Sequence, residues 1–308
     1  MSWTFKNVAI VGSGAVGLYH GGRLAAAGED VKFLLRSDFT AISEGGLKVE
    51  SSLGDFQLRQ VQAFQNAEEI GPVDLVIVSW KATANTQLST ILPPLLHAGT
   101  QVLTLQNGLG NCEALAEIVG PERVMGGLCF ICINRISPGL VRHSSGGRMT
   151  LGEMRPDGMG RVTELEKRFK AAHIQAVAID DLEKSQWEKL VWNIPFNGLS
   201  IVEGGVTTDV LLDSPAKETE LRRLMDEIIA AANHLGHGLS QELIDLHINR
   251  TRPMGAYRTS SMIDFVEGRE VEVSPIWREP LRRAAAAGFA MPLLADLLQR
   301  IEDRLQQR

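Results

Sequence analysis

One lysine and two asparagines recur at four-residue steps in EKLVWNIPFNGLS, the stretch that spans residues 188–200. A four-residue step places Lys189, Asn193 and Asn197 on one face of a helix, where their polar groups can converge on a small molecule. An ammonium group can stabilise a developing oxyanion and donate a proton to it, while amide groups bind hydroxyl and carboxylate oxygens without adding net charge. The spacing predicts either such a site or a solvated stripe on an amphipathic helix.

Apolar residues surround this column of polar side chains. Leu190, Val191, Trp192 and Phe196 leave little polar surface besides the column itself, which favours a site over a solvated stripe. Pro195 lies between the two asparagines, where it removes a backbone donor and is expected to kink the helix.

A glycine-rich turn, GSGAVG, follows the first strand-like segment and opens a helix-like one. Gly12 would permit the tight turn, Gly14 the close approach of a pyrophosphate, and Gly17 the packing of helix against strand. The helix N-terminus offers backbone donors and a partial positive charge to the phosphates. We therefore expect a dinucleotide site lined by Gly12, Ser13, Gly14, Ala15, Val16 and Gly17.

The end of the second predicted strand, FLLR, bears on which dinucleotide binds. NAD enzymes usually place an acidic residue about 20 positions after the glycine turn, where it holds the ribose hydroxyls. This strand has no acid at its tip, and Arg36 follows directly, which suits a 2′-phosphate. Although a surface arginine is the alternative, the predicted cofactor is NADP(H).

Polar residues also follow the third and fourth predicted strands. Lys81 lies just past the third strand in VSWKA, and Asn107 follows the fourth in LTLQNGLGN. Since ligands bind beyond the carboxyl ends of parallel strands, both residues can face the nicotinamide half of the cofactor. The alternatives are a solvated loop lysine and ordinary Asn-Gly turn chemistry.

The order of segments predicts an α/β protein with two domains. Predicted strands are 8–11, 31–35, 74–79, 101–106 and 123–133, with a helix opening at residue 15 and another near 85–97, then a hairpin over 142–153, a helix near 159–172 and a strand over 174–179. Later helices are predicted over 182–202, 214–235, 240–248, 274–288 and 292–306. We therefore expect a Rossmann-type parallel-sheet domain over 1–180 and an all-helical domain over 181–308.

Bulk properties limit the class of protein. The chain has 308 residues, a net charge of -6, 44% hydrophobic and 22% charged residues, which predicts a globular protein without nucleic-acid or membrane partners. No signal peptide is recognisable, so a cytoplasmic location is predicted. The lone Cys129-x2-Cys132 pair and the histidines His234, His237 and His247 lack the ligand spacing of a metal site, so no metal is predicted.

Several motifs in fixed order resemble one family. They are GSGAVG, WKA, LQNGLG, SPGLVRHSSGGRMTLGE, W-E-K-L-x2-N-x3-N, and SSM followed by a glutamate, and they cover essentially the full chain. This order resembles the 2-dehydropantoate 2-reductases (ketopantoate reductases). The resemblance implies a Rossmann domain, a helical second domain, and NADPH-dependent reduction of a 2-keto acid, ketopantoate to pantoate, in the cleft between them.

The resemblance also implies roles for single residues. Lys189 matches the general acid, and Glu272 matches its acidic partner. The interval between SSM and this glutamate differs by one residue from the family pattern, so Glu270 is a competitor for that role.

Further matches concern the substrate. The resemblance implies that Asn107, Asn193, Asn197 and Ser261 bind the substrate, with Ser261 on its carboxylate, and that Lys81 lies near the nicotinamide and the substrate.

Departures from the family pattern leave the substrate open. Pro195 lies inside the column, and EVSPIWREP, with the bulky Trp277, replaces the usual acidic and Asn-Gly positions. A related hydroxyacid dehydrogenase acting on another branched 2-keto acid and a catalytically silent NADP-binding sensor are the alternatives. Because helical second domains of such enzymes often pair, a homodimer is a candidate assembly.

Overall fold

The computed structural model describes residues 4–155 and 160–308, which form two compact units. The first unit is drawn from Met1–Asn107 and Asn111–Leu182, and the second comprises Gly108–Gly110 and Glu183–Arg308. A three-residue piece of LQNGLG thus belongs to the helical unit although the chain around it belongs to the sheet.

One ten-stranded sheet organises the described part of the first unit. Its strands are β1 (Asn7–Val11), β2 (Asp30–Leu34), β3 (Leu47–Ser51), β4 (Phe56–Leu58), β5 (Gln62–Phe64), β6 (Leu75–Val78), β7 (Gln101–Thr104), β8 (Val124–Ser137), β9 (Leu140–Glu153) and β10 (Gln175–Ile179). The order is β4-β3-β9-β8-β7-β6-β1-β2-β5, with β10 beside β9. Strand β1 pairs in parallel with both β2 and β6. The next strand along the chain, β2, lies on one side of β1, and the later strand β6 lies on the other side, so the strand order reverses at β1. Dinucleotides bind at such a switch point.

Helices cover both faces of the sheet. They are α1 (Ala15–Ala26), α2 (Phe39–Gly45), α3 (Ala67–Ile70), α4 (Leu88–Ile91), α5 (Asn111–Val119) and α6 (Arg161–Ala171). Along β1, Val8 and Ile10 belong to one hydrophobic cluster, while Ala9 and Val11 belong to another. Because successive strand residues point to opposite faces, the two clusters are the two layers of core, and the buried central strands read as continuous apolar runs.

Two predicted elements in this unit are wrong in detail. Residues 142–153, predicted as a hairpin, lie in the single strand β9, which pairs with β8 along its length. Gly146 and Gly147 have φ of +77° and +117° and lie at a register shift, so these glycines form a β-bulge instead of a turn. The chain reverses at Gly139, whose φ is +74°.

The helix predicted near 85–97 is broken into short pieces. A 3-10 helix (Ala82–Gln87), the four-residue α4 and a second 3-10 helix (Pro93–Leu95) replace it, because adjacent prolines lack the N–H groups a longer helix needs. Strands β3, β4 and β5 are not among the predicted strands; β4 and β5 have only three residues each, whereas β3 does alternate apolar and polar residues in LKVES. Residue 159, at the start of the helix predicted near 159–172, lies outside the described residues, and α6 begins at Arg161.

The second unit is helical. Its helices are α7 (Leu182–Val202), α8 (Thr208–Asp213), α9 (Pro215–His234), α10 (Glu242–Thr251), α11 (Ser260–Val266), α12 (Glu279–Ala286) and α13 (Pro292–Gln306). A π-helical turn, Ser274–Arg278, precedes α12, so the single helix predicted over 274–288 is wrong at its start. Helix α7 runs through Pro195 without ending there. In the part of the chain described, no helix is long and apolar enough to cross a membrane.

Candidate active site

The turn between β1 and α1 is shaped by two glycines that the protein's own packing requires. Gly12 has a φ of +93°, and a Cβ placed there would lie 2.1 Å from the backbone nitrogen of Trp80. A Cβ on Gly17 would lie 2.4 Å from the carbonyl oxygen of Gly12. Close approach of backbone to backbone leaves no room for a side chain at either position.

Gly14 differs from these two glycines, because no contact among the described residues requires a glycine at this position. Its φ is −77°, which any residue can adopt, and a Cβ there would meet no atom of the described residues within 4 Å. Helix α1 begins directly after it, with no side-chain cap and no acidic residue in its first turn. Open space before uncapped N–H groups fits a pyrophosphate, so the residues present suit a dinucleotide.

Two serine hydroxyls hold the glycine turn to neighbouring strand ends. Ser13 Oγ donates to the carbonyl of Leu34 at the end of β2, at 2.9 Å. Ser79 Oγ donates to the carbonyl of Gly12 at 2.7 Å, just past β6. No sequence pattern singles out Ser79, because its role depends on the parallel pairing of β1 with β6.

Arg36 extends from the end of β2 into solvent, close along the chain to the strand end that Ser13 binds. The next acidic residue, Asp38, is buried and accepts hydrogen bonds from Arg135, from Ser37 and from the backbone N–H of Gly139. A carboxylate so engaged cannot also hold ribose hydroxyls. At the end of β2, the guanidinium of Arg36 is therefore exposed, whereas the carboxylate of Asp38 is already engaged in hydrogen bonds.

A network of amides links the loops after β6 and β7. Asn85 Oδ1 accepts from the Trp80 indole N–H at 3.0 Å and from Gln106 Nε2 at 2.7 Å. Its Nδ2 donates to Asn111 Oδ1 at 3.0 Å, and Asn111 Nδ2 donates to the carbonyl of Asn107 at 2.9 Å. This chain of bonds joins the loop of Lys81 to the loop of Asn107, as the predicted nicotinamide site needs. Sequence reasoning missed Asn85.

The polar column on α7 is not a solvated stripe. Lys189 is half-buried, while Asn193 is 8% exposed and Asn197 only 1% exposed. Amides with so little exposure need hydrogen-bonding partners from the protein, from a ligand or from water.

The two asparagines differ in where those partners are. Asn197 Nδ2 donates to the carbonyl of Asn193 at 2.9 Å, and its Oδ1 accepts from the backbone N–H of Ser261 at 3.0 Å. Across the described ranges 4–155 and 160–308, by contrast, the side-chain amide of Asn193 has no hydrogen-bond partner.

Asn197 therefore caps helix α11 from another helix. Thr259 is the N-cap residue of α11, yet its side chain makes no capping bond. The N–H of Ser261, in the first turn of α11, donates to Asn197 instead of to the side chain of Thr259. This bond ties the segment that carries Ser261 to the helix that carries the column.

Glu272 and Glu270 lie in the segment between α11 and the π-helical turn. Glu270 is exposed, and Glu272 is half-buried. Val271 and Val273, on either side of Glu272, are packed into the core of the second unit. Local packing therefore anchors the backbone of Glu272 more firmly than that of Glu270.

Two titratable groups near these elements have shifted pKa values. Burial lowers the pKa of His247 on α10 to about 4, although a hydrogen bond with the Glu188 backbone opposes the shift. His247 is therefore neutral at pH 7 and adds no charge beside α7. A hydrogen bond from Arg282 lowers the pKa of Glu279, whose side chain lies beside Gly110.

Comparison with known proteins decides the family. The model of ketopantoate reductase PanE/ApbA matches residues 8–156, and the model of its C-terminal part matches residues 181–304. The chain belongs to the ketopantoate reductase family.

Individual ketopantoate reductases are similar over nearly the whole chain. A 2-dehydropantoate 2-reductase from a Nostoc species is 38% identical over 302 residues, covering 96% of this chain and 94% of that protein. The crystal structure of 2-dehydropantoate 2-reductase from Geobacter metallireducens is 45% identical with a TM-score of 0.94, covering 96% of this chain and 99% of that one. The enzyme of Methylococcus capsulatus is 29% identical with a TM-score of 0.89, covering 98% of this chain and 97% of that one.

Membership in the ketopantoate reductase family confirms the predicted α/β fold with a helical second part and the predicted enzyme class. The protein is an NADP-dependent oxidoreductase that acts on CH–OH groups. Its substrate is a small-molecule keto acid.

Proposed function

We propose that this chain reduces 2-dehydropantoate to pantoate with NADPH, and that Lys189, Asn193, Ser261 and Glu272 act on the substrate. The observation that supports this most directly is the position of Asn193, which is only 8% exposed, lies one helical turn from Lys189, and makes no side-chain hydrogen bond within the described residues. A hydroxylated keto acid offers oxygens for such an amide.

The reaction needs a proton at the ketone oxygen, and bound NADPH supplies the hydride to the carbonyl carbon. Negative charge develops on the oxygen, where the ammonium of Lys189 stabilises it and donates the proton. Glu272 orients Lys189 and favours its charged form. Asn193 binds a hydroxyl or carboxylate oxygen, Ser261 binds the carboxylate, and Asn197 holds Ser261 in place.

On the cofactor side, the chain's own groups bind and orient NADPH. The N-terminus of α1 and the open space at Gly14 receive the pyrophosphate, and Arg36 pairs with the 2′-phosphate. Lys81 and Asn107, held by the Asn85 network, face the nicotinamide half.

A substrate screen tests the proposal. We expect kcat/KM with 2-dehydropantoate to exceed that with 2-ketoisovalerate, which lacks the hydroxyl, by about five- to 150-fold, the cost of leaving the polar group that binds the hydroxyl without a partner. NADPH should be preferred to NADH. Equal efficiency with both keto acids would instead indicate a hydroxyacid dehydrogenase of other specificity, and equal use of NADH would contradict the role of Arg36.

That alternative has one structural counterpart. A D-mandelate dehydrogenase solved with NADH and anilino(oxo)acetate has a TM-score of 0.90 at 21% identity, covering 98% of this chain and 99% of that one, a likeness that shows the fold alone. Because a shared fold does not determine specificity, aromatic 2-keto acids in the screen test that alternative directly.

Variants of the two asparagines separate their proposed roles. Asn197→Ala leaves the buried N–H of Ser261 without a partner, so the free energy of unfolding should fall by about 1–3 kcal/mol. Asn193→Ala should lower it less and should raise the KM for the keto acid. Urea unfolding and steady-state kinetics measure both effects, and an Asn197→Ala variant as stable as the wild type would remove its capping role.

The assembly and the cellular location are tested separately from the reaction. A dimeric ketopantoate reductase from Staphylococcus aureus shares the fold at 18% identity. A homodimer is our proposal for this chain, and sedimentation velocity tests it. The cytoplasmic location stays a prediction from the sequence, to be checked by cell fractionation.

A further inference from the structure

The π-helical turn Ser274–Arg278 holds the piece of LQNGLG that belongs to the second unit. In a π-helical turn a carbonyl accepts from the N–H five residues later, and the residue five after Pro275 is Pro280, which has no N–H. The carbonyl of Pro275 accepts from the backbone N–H of Leu109 at 2.9 Å. Gly108 has a φ of +82°, and a Cβ there would lie 2.2 Å from the same carbonyl oxygen. One hydrogen bond and close packing therefore fix this loop to the turn.

The same turn is bonded to α7 within one helical turn of the carbonyl that loses its donor to Pro195. Pro195 has no N–H to donate to the carbonyl of Val191. The indole N–H of Trp277 donates to the carbonyl of Ile194 at 3.1 Å, and the Trp277 ring is 0% exposed. Ile194 directly follows Asn193, so this bond is made on the helical turn that carries the amide column.

We propose that Trp277 is a positioning residue. It holds the polar column of α7 (Lys189, Asn193 and Asn197) in a fixed position relative to the loop Gly108–Gly110, and thereby sets selectivity for a hydroxylated 2-keto acid. The selectivity rests on the proposed function. Being fully buried, the ring acts through the carbonyl of Ile194 and not by touching the substrate. Pro195 and Trp277, both departures from the family pattern, thus act on one helical turn.

Trp277→Phe has a matched control in Trp187→Phe. Trp187 also lies fully buried in the core of the second unit, and its indole nitrogen has no hydrogen-bond partner among the described residues. Both changes remove the same indole volume, but only Trp277→Phe removes a hydrogen bond. Trp187 lies nearer in sequence to Lys189 than Trp277 does. A general packing defect should therefore lower catalysis in Trp187→Phe at least as much as in Trp277→Phe.

Two measurements on the full-length protein separate positioning from simple packing. The first is the ratio of kcat/KM for 2-dehydropantoate to that for 2-ketoisovalerate, which we expect to fall about two- to tenfold in Trp277→Phe, the range of one net hydrogen bond. The second is amide hydrogen exchange over 193–200, which should quicken in this variant. Trp187→Phe should leave the ratio and the exchange as in the wild type.

Equal changes in both variants, or none in Trp277→Phe, would overturn the positioning role. A wild-type protein inactive on every keto acid would overturn the proposed function instead. The exchange comparison needs no substrate, so it still decides whether Trp277 restrains α7.

Discussion

Lys189→Ala should lose about 10²–10⁴-fold in turnover, the usual contribution of general acid–base help, and should bind NADPH as the wild type does. The side chain lies on α7 in the second unit, while the glycine turn and Arg36 belong to the first. Its proposed part concerns the ketone oxygen, whose charge develops only as the hydride transfers. NADPH binding by fluorescence titration and NADPH oxidation with 2-dehydropantoate measure the two properties.

Two further variants define the role of Lys189. Lys189→Arg keeps a positive charge but not the proton transfer, because a guanidinium does not deprotonate in proteins. We expect the turnover of Lys189→Arg to stay low. Wild-type turnover in this variant would mean that Lys189 stabilises charge and does not donate the proton. Lys184→Ala, on the same helix but outside the column, is the control and should behave as wild type. Near-normal turnover in Lys189→Ala would remove the proton-donor assignment and favour the silent sensor.

Gly14→Ala should weaken NADPH binding while leaving the free protein as stable as the wild type. The added methyl meets no atom within 4 Å in the described part of the chain, so we expect a bound ligand to oppose it. Overpacking of about 1–3 kcal/mol against the pyrophosphate corresponds to roughly a five- to 150-fold rise in Kd. Calorimetric titration with NADPH and thermal unfolding of the free protein measure the two effects.

Gly12→Ala is the matched comparison, two residues away. Its methyl would clash with the backbone of Trp80, and its φ of +93° is strained for alanine. Strain of about 1–3 kcal/mol and a similar overpacking cost should lower the free energy of unfolding of the protein itself. If Gly14→Ala binds NADPH normally, the turn does not receive the pyrophosphate.

Much of this molecule could be predicted from short stretches of sequence, and the failures have a common cause. The strand before GSGAVG and the helix α7 were predicted because apolar periodicity and the glycine turn are local signals. The paired glycines Gly146 and Gly147 allow either a turn or a bulge, and only the register with β8 selects the bulge. The prediction of one helix near 85–97 is wrong, because the adjacent prolines interrupt it.

The sequence by itself determined the family, the reaction and the residues of the α7 column, because four-residue spacing and motif order are properties of the chain alone. Only the tertiary structure decided how those residues are held. Asn197 and Ser261 are 64 residues apart, and Trp277 and Ile194 are 83 apart. Hydrogen bonds over such separations arise from helix packing, which no local pattern encodes. Packing thus distinguished the engaged amide of Asn197 from that of Asn193, which has no hydrogen-bond partner among the described residues.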